Sequence, residues 1–131
     1  MIDANALFVP FEKAMDAFVR KEKTDKRKDY WQYRIGKLYA LGHGVPQDYT
    51  ASAQWFERSA SERNPYALYA LGGQYQRGQG VEQSYDRAIS LYTQAATHES
   101  KPNTYAQYQL GSLYKEGVGT AIDLKESGSW Y

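Results

Sequence analysis

A block of residues that occurs three times constrains this chain more than any other feature. The copies are Ile35–Tyr39, Leu71–Tyr75 and Leu110–Tyr114, each with glycine in second place and tyrosine in fifth, and each followed by Gly-x-Gly after two more residues. Thirty-six residues separate the first two copies and 39 separate the second from the third. Self-similarity at such a period is the signature of a repeat protein.

Each repeating unit is predicted to form two helices. In the second unit Ala67, Leu71 and Tyr75 lie four residues apart and therefore share one helical face, and Gly78 and Gly80 then end the helix because glycine adopts left-handed conformations easily. Good N-cap residues for a second helix follow at one position in all three units, namely Asp48, Ser84 and Asp123. The apolar blocks of these second helices are Trp55-Phe56 with Ala60, Leu91-Tyr92 with Ala96, and Trp130-Tyr131. Repeated helix pairs of this kind stack into an all-α solenoid of antiparallel helix pairs.

This pattern resembles the Sel-one-like repeat (SLR), a short relative of the tetratricopeptide repeat. The residues that carry the resemblance are Ala-x-x-x-Leu-Gly-x-x-Tyr-x-x-Gly-x-Gly-Val, then Asp, Ala, an aromatic pair and Ala-Ala, over about Tyr30 to Tyr131. The departures are Ile35 for leucine, Ser84 for aspartate, Thr120 for valine, and Ser52 and Ser127 at the position of Ala88. The resemblance implies an α-solenoid and an adaptor or scaffold role without an active site in the repeats.

The repeats divide the chain into four predicted segments. Residues 1–29 form an N-terminal capping helix and charged linker, and the three SLR repeats span 30–65, 66–104 and 105–131, the last one truncated. The apolar residues that indicate the capping helix are Phe8, Phe11, Ala14, Met15, Phe18 and Val19. Because Trp130 and Tyr131 fall in the middle of the last expected helix, either the chain is a segment of a longer protein, which we favour, or another element completes that helix.

Composition excludes several classes of protein. The apolar content is 42%, the net charge is +1, cysteine is absent, and no long apolar stretch occurs, so we expect a soluble globular protein in the cytoplasm. Disulfides and thiolate metal sites are excluded. The two histidines, His43 and His98, fall in different loops of different units, and no nucleophile, phosphate loop or metal cluster is evident. We therefore expect no cofactor, no metal, no small-molecule substrate and no enzymatic activity.

A tyrosine-rich surface is the candidate functional site. Relative to the first glycine of each unit, the positions six before, three before, one after, four after and five after share the helical face opposite to the core. The candidate partner-binding residues on this face are Tyr30, Tyr33, Lys37, Tyr66, Tyr69, Gln76, Arg77, Tyr105, Tyr108 and Lys115. The other members of the set are Ala40, Leu41, Gly73, Ser112 and Glu116. Similarity to tetratricopeptide repeats implies that this side of the first helices lines a concave peptide-binding surface.

The tyrosines also admit a structural interpretation. Tyr33, Tyr69 and Tyr108 lie where rings can pack between consecutive units with only the hydroxyl at the surface, and the same alternative holds for Tyr30, Tyr66 and Tyr105 nearer the edge. The tyrosines Tyr39, Tyr75 and Tyr114 fall on the core side and are predicted to be structural.

Three functional hypotheses follow from the sequence. The first is a non-catalytic module that binds a peptide or protein partner carrying acidic groups on the tyrosine-rich face. The second is an accessory domain of a larger enzyme, because Asn64–Ala67 leading into Leu71–Gly73 resembles SLR arrays appended to mobilisation relaxases of conjugative elements. The third is self-association through the C-terminal flank at Trp130-Tyr131. The charged segment Arg20–Asp29 is either a solvated helix end or a basic patch for an acidic partner, and we expect neither membrane nor nucleic-acid binding.

Overall fold

The chain is all-α, as predicted. The computed structural model describes the backbone of residues 4–117 and 124–130 and the side chains of residues 13–117 and 126–130. The described residues form the helices α1 (Ala4–Thr24), α2 (Lys28–Leu41), α3 (Tyr49–Ser61), α4 (Pro65–Arg77), α5 (Tyr85–Ala96), α6 (Thr104–Glu116) and α7 (Leu124–Trp130). Helices α2, α4 and α6 are the first helices of the three repeats, and α3, α5 and α7 are the second helices.

The glycines and caps found in the sequence set the ends of these helices. Gly42 is the C-cap of α2 and Gly117 that of α6, both with the left-handed backbone (φ 69° and 70°) that glycine adopts without steric cost. The Asp48 carboxylate accepts a hydrogen bond from the Ala51 N–H (3.0 Å), and the Ser84 hydroxyl accepts one from the Arg87 N–H (3.2 Å). Both residues are therefore the predicted N-caps, whereas Asp123 lies outside the described residues.

The chain divides into two compact units, residues 1–64 and 65–131. In the first unit, helices α1, α2 and α3 enclose a core of Met15, Ile35 and Leu38, with Phe18, Val19, Tyr39, Val45 and Trp55 packed against it. The start of α2 is tied to the end of α3 by Asp29, whose carbonyl accepts from the Ser59 hydroxyl (2.6 Å) and whose carboxylate accepts from the Asn64 amide (2.9 Å).

The second unit contains helices α4 to α7, packed in sequence order. Its fully buried apolar residues are mostly small or aliphatic, because close helix packing needs short side chains at the contacts. They are Ala67, Leu68, Leu71, Ala88, Ala95, Ala106 and Leu110, together with the ring of Tyr92.

The first glycine of a repeat permits a ring of the second helix to pack directly on the backbone of the first. A Cβ placed on Gly36 would lie 2.6 Å from the Phe56 ring, and one on Gly72 would lie 2.9 Å from the Tyr92 ring. The two helices of a repeat are also close enough for hydrogen bonds from the serines at the Ala88 position. The hydroxyls of Ser52 and Ser127 donate to the carbonyls of the first glycines Gly36 and Gly111, both at 2.8 Å.

Candidate functional site

The exposed apolar side chains concentrate on the face that the helical wheel selected. Among the described residues, the large apolar side chains that are mostly exposed are Leu41 (54%), Tyr66 (51%), Tyr105 (70%) and Tyr108 (62%). All four belong to the predicted set. Tyr39, Tyr75 and Tyr114, from the opposite arc, are half-buried.

In the first unit the predicted residues are engaged mainly with their own neighbours. Tyr30 is half-buried, packs edge-on against Trp31 (4.8 Å between ring centroids) and accepts a hydrogen bond from Arg34 Nη1 (2.6 Å). Tyr33 is also half-buried, with its ring 5.8 Å from that of Phe56, and the exposed Lys37 ammonium lies 5.9 Å from the Tyr33 ring.

In the second unit four tyrosines from α4 and α6 form what we call the tyrosine face: Tyr66, Tyr69, Tyr105 and Tyr108. The half-buried Tyr69 links the two helices, because its ring lies 6.0 Å from Tyr105 of α6 and 5.8 Å from Tyr92 of α5. Centroid distances of this size are typical of stabilising aromatic pairs. The predicted Lys115, in the last turn of α6, is exposed.

The end of α4 carries polar groups beside these rings. Tyr69, Gly73 and Arg77 lie on successive turns of α4, so they share one face. The Arg77 guanidinium folds back over Gly73, where an added Cβ would lie 2.8 Å from Nη2. Its Nε donates to Gln79 Oε1 (3.0 Å), and the Tyr92 hydroxyl donates to Oε1 of the half-buried Gln76 (2.6 Å). The structure thus brings the predicted Tyr69, Gln76 and Arg77 together.

The environment of Tyr92 raises the pKa of its hydroxyl to about 12 from an ordinary value of 10.0. Burial is the main cause, the neighbouring Tyr69 adds to it, and the positive charge of Arg77 opposes it. The folded protein therefore favours the neutral phenol.

This shift predicts a loss of stability at alkaline pH. A pKa that is higher in the folded than in the unfolded state contributes stability that is complete below pH 10 and is lost as the pH rises through about 12. We expect Tyr92→Phe to flatten the decline in the free energy of unfolding over this range, measured by urea unfolding at a series of pH values. Tyr105→Phe, at an exposed ring, is the matched control and should follow the parent. Parallel profiles for parent and Tyr92→Phe would contradict the prediction.

Other chemistry is sparse in the described part of the chain. His43 lies in the turn after α2, and the His98 Nδ1 accepts from the backbone N–H groups of Ser100 (3.2 Å) and Lys101 (3.0 Å), so His98 organises its own loop. No group of three or more His, Asp or Glu among the described residues is placed to hold a metal ion. None of the described helices combines the length and apolar character that a membrane span requires.

Sequence reasoning missed one glutamine in each of the first two repeats, which hydrogen-bonds across the turn between the two helices of that repeat. Gln47 donates to the Ala40 carbonyl (2.8 Å) and the Tyr49 hydroxyl (3.2 Å), and Gln83 donates to the Gln76 carbonyl (2.8 Å) and the Tyr85 hydroxyl (3.1 Å). Both glutamines stand three residues after the last glycine of their turn. That shared position was the available signal.

Comparison with known families decides which repeat this is. The Sel1 repeat model matches residues 32–64, 65–100 and 104–131. The chain belongs to the Sel1 repeat family. Sel1 repeats are generally protein–protein interaction modules. No functionally curated protein matches the chain significantly.

Solved Sel1 structures share the fold. A Sel1 repeat protein from Oxalobacter formigenes superposes with a TM-score of 0.81 at 28% identity, over 92% of this chain and 47% of that chain. A protective antigen present in uropathogenic Escherichia coli strains, which displays an SLR fold, gives a TM-score of 0.80 at 32% identity over 88% of this chain. This chain spans 47% and 24% of the lengths of these two relatives.

Proposed function

We propose that this Sel1 repeat chain is a non-catalytic adaptor that binds a protein or peptide partner on the tyrosine-bearing face of its first helices. The observation that carries the proposal is the coincidence of exposure and position: every mostly exposed large apolar side chain among the described residues holds a position that the helical wheel assigns to that face of its own helix. Tyrosine suits protein recognition because its rigid ring supplies contact area while the hydroxyl still forms hydrogen bonds.

The charges on this face favour an acidic partner. Lys37 lies beside Tyr33 in the first unit, and Arg77 and Lys115 belong to the same predicted set in the second, with Glu116 as its single acidic member. Each unit thus carries an excess of positive charge at these positions, which attracts acidic segments and accelerates association with them, an effect that salt weakens.

The proposal is tested by comparing partner capture by the parent chain and two variants. The first variant, Tyr66→Ala, Tyr105→Ala, Tyr108→Ala, removes the exposed rings of the second unit, and the matched control, Ser90→Ala, Gln94→Ala, changes exposed residues of α5. Proteins of the native host captured by the parent are identified by mass spectrometry, and the affinity of the purified partner is then measured by calorimetry. We expect the tyrosine variant to bind at least about tenfold more weakly, since hot-spot rings cost about 2 kcal/mol or more when truncated.

The control and the folding of both variants decide how the result is interpreted. Circular dichroism should show unchanged helical content, because the replaced rings are mostly exposed. Equal affinity of the parent and the tyrosine variant for the captured partner would overturn the assignment of binding to this face. Equal losses in the tyrosine variant and the α5 control would do so as well.

A further inference from the structure

Four hydrogen-bond donor groups, on three side chains of α4, have no acceptor among the described residues. They are the Tyr69 hydroxyl, the Gln76 Nε2 group and the two Nη groups of Arg77, and we call them the donor cluster. Gln76 Oε1 is occupied by the Tyr92 hydroxyl, so the amide orientation is fixed with Nε2 as its remaining group. The Arg77 Nε is occupied by Gln79, which leaves only the outer edge of the guanidinium.

The cluster is held in place before any ligand arrives. Gly73 has no side chain, so the guanidinium lies directly over the helix, one turn from Tyr69. The backbone carbonyls at the end of α4 do not compete with a ligand for the Arg77 N–H groups, because they already accept other hydrogen bonds. Those of Gln74, Tyr75 and Gln76 accept from Gln79 N–H (2.9 Å), Ser84 N–H (2.9 Å) and Gln83 Nε2 (2.8 Å). A preorganised donor set binds with a smaller entropic cost than flexible side chains do.

The first repeat lacks these donors at the same positions. Ala40 and Leu41 stand where the second repeat has Gln76 and Arg77, Lys37 stands at Gly73, and Phe56 replaces Tyr92 without its hydroxyl. The aromatic rings at these positions nevertheless pack alike in the two repeats. The ring centroids of Tyr33 and Phe56 are 5.8 Å apart, and those of Tyr69 and Tyr92 are also 5.8 Å apart. Equivalent positions on the same backbone thus carry mainly apolar side chains in the first repeat and hydrogen-bond donors in the second.

We propose that the donor cluster binds the side-chain carboxylate of an aspartate or glutamate in the partner, while the residues that flank this acid pack on the tyrosine face. This inference rests on the proposed function and specifies its partner chemistry. A carboxylate offers two coplanar oxygens with about four acceptor sites, which fit the fork of a guanidinium and two further donors. Arg77 supplies the single positive charge of the cluster, so a monoanion is neutralised there and a dianionic phosphate is not.

The occupant is an internal side chain of a segment because exposed rings extend away from the cluster. Tyr69 of α4 is in ring contact with Tyr105 of α6, and Tyr105 is 70% exposed. A peptide segment that places its acid at Arg77 therefore meets aromatic surface on the neighbouring helix. Free acetate or a terminal carboxylate alone would leave that surface uncovered.

The test uses short random peptides displayed with both ends joined to a carrier, so that no terminal carboxylate is free. The whole chain selects binders, and the selected peptides are synthesised with blocked ends, each with its acidic residue and with the amide counterpart. The key variant is Gln76→Ala, Arg77→Leu, Tyr92→Phe, which gives the second repeat the residues of the first. The matched control is Arg87→Leu, which removes an exposed arginine of α5 and the same net charge.

We expect the selected peptides to share an acidic position whose change to the amide weakens binding to the parent by about tenfold or more, as charge-assisted hydrogen bonds of this kind require. The same change should alter binding by less than about twofold in the key variant and by the parental factor in Arg87→Leu. An acidic preference that persists in the key variant overturns the inference. Binders without an acidic preference that still need Tyr105 and Tyr108 overturn it and leave the proposed function standing, and a selection without any binder overturns both.

Discussion

Gly36→Ala is expected to lower the free energy of unfolding by about 1 kcal/mol. The new methyl group would lie 2.6 and 2.7 Å from two carbons of the Phe56 ring, which is only 3% exposed. Overpacking of this kind costs about 1 to 3 kcal/mol, whereas the helical preference of alanine over glycine returns only about 0.5 to 1 kcal/mol. Urea unfolding followed by circular dichroism measures the difference, and the same sign is expected for Gly72→Ala against Tyr92.

Gly73→Ala is the matched control for this prediction, because the adjacent glycine faces a different neighbour. Its added Cβ would meet only the far end of the Arg77 side chain, which can move away at the cost of one exposed hydrogen bond to Gln79. The helical preference of alanine should then dominate, and the stability should stay level or rise by about 0.5 to 1 kcal/mol. Equal destabilisation by Gly72→Ala and Gly73→Ala would contradict the assigned packing of the first glycines.

The helices and turns could be predicted from the sequence because their signals are local. A glycine with left-handed backbone, as at Gly42 and Gly78, and a capping side chain, as at Asp48 and Ser84, act within a few residues of their own position. Each signal is also strengthened because it recurs at the equivalent position of the other repeats. The positions of the repeats also selected the face that carries Tyr66, Tyr105 and Tyr108, since a helical wheel needs only the spacing of residues.

The different burial of equivalent tyrosines could not be predicted from the wheel. Tyr33, Tyr69 and Tyr108 hold the same position, but Tyr33 and Tyr69 are half-buried against Phe56 and Tyr92, whereas Tyr108 is 62% exposed. Burial depends on the ring that a second helix brings to the first, which is a tertiary contact. The corresponding residue in the third repeat, Tyr131, lies outside the described residues.

The donor cluster was only half visible in the sequence. Their positions on the helical wheel predict Gln76 and Arg77 as binding residues, but the sequence pattern places Tyr92 in an apolar block of α5 and gives Gly73 no role of its own. A signal did exist, since Gly73 stands where the other repeats have Lys37 and Ser112. The rotamer of Arg77 could not be predicted from the sequence, because a long side chain has many allowed conformations. The observed one is stabilised by the hydrogen bond from Nε to Gln79.

Met15→Ala is expected to lower the free energy of unfolding by about 2 to 5 kcal/mol, the range for truncating a large buried side chain to alanine. Met15 is 8% exposed and, among the described side chains of α1, is the buried one in the core formed with Ile35 and Leu38 of α2. Shortening it leaves a cavity between the two helices, and Phe18 and Val19 line the same cluster on α1. Thermal and urea unfolding of the whole chain measure the loss.

Lys13→Ala is the control for this prediction, because Lys13 lies on the same helix but is exposed, and surface substitutions usually change stability by less than about 0.5 kcal/mol. If α1 covers the apolar flank of the first repeat, removing the Met15 side chain that contacts this flank must lower the stability of the repeat. If Met15→Ala and Lys13→Ala unfold alike, α1 does not serve as the cap, and α2 and α3 hold the first repeat together without it. A large loss confined to Met15→Ala would instead make the helix before the first Sel1 match part of the folded domain.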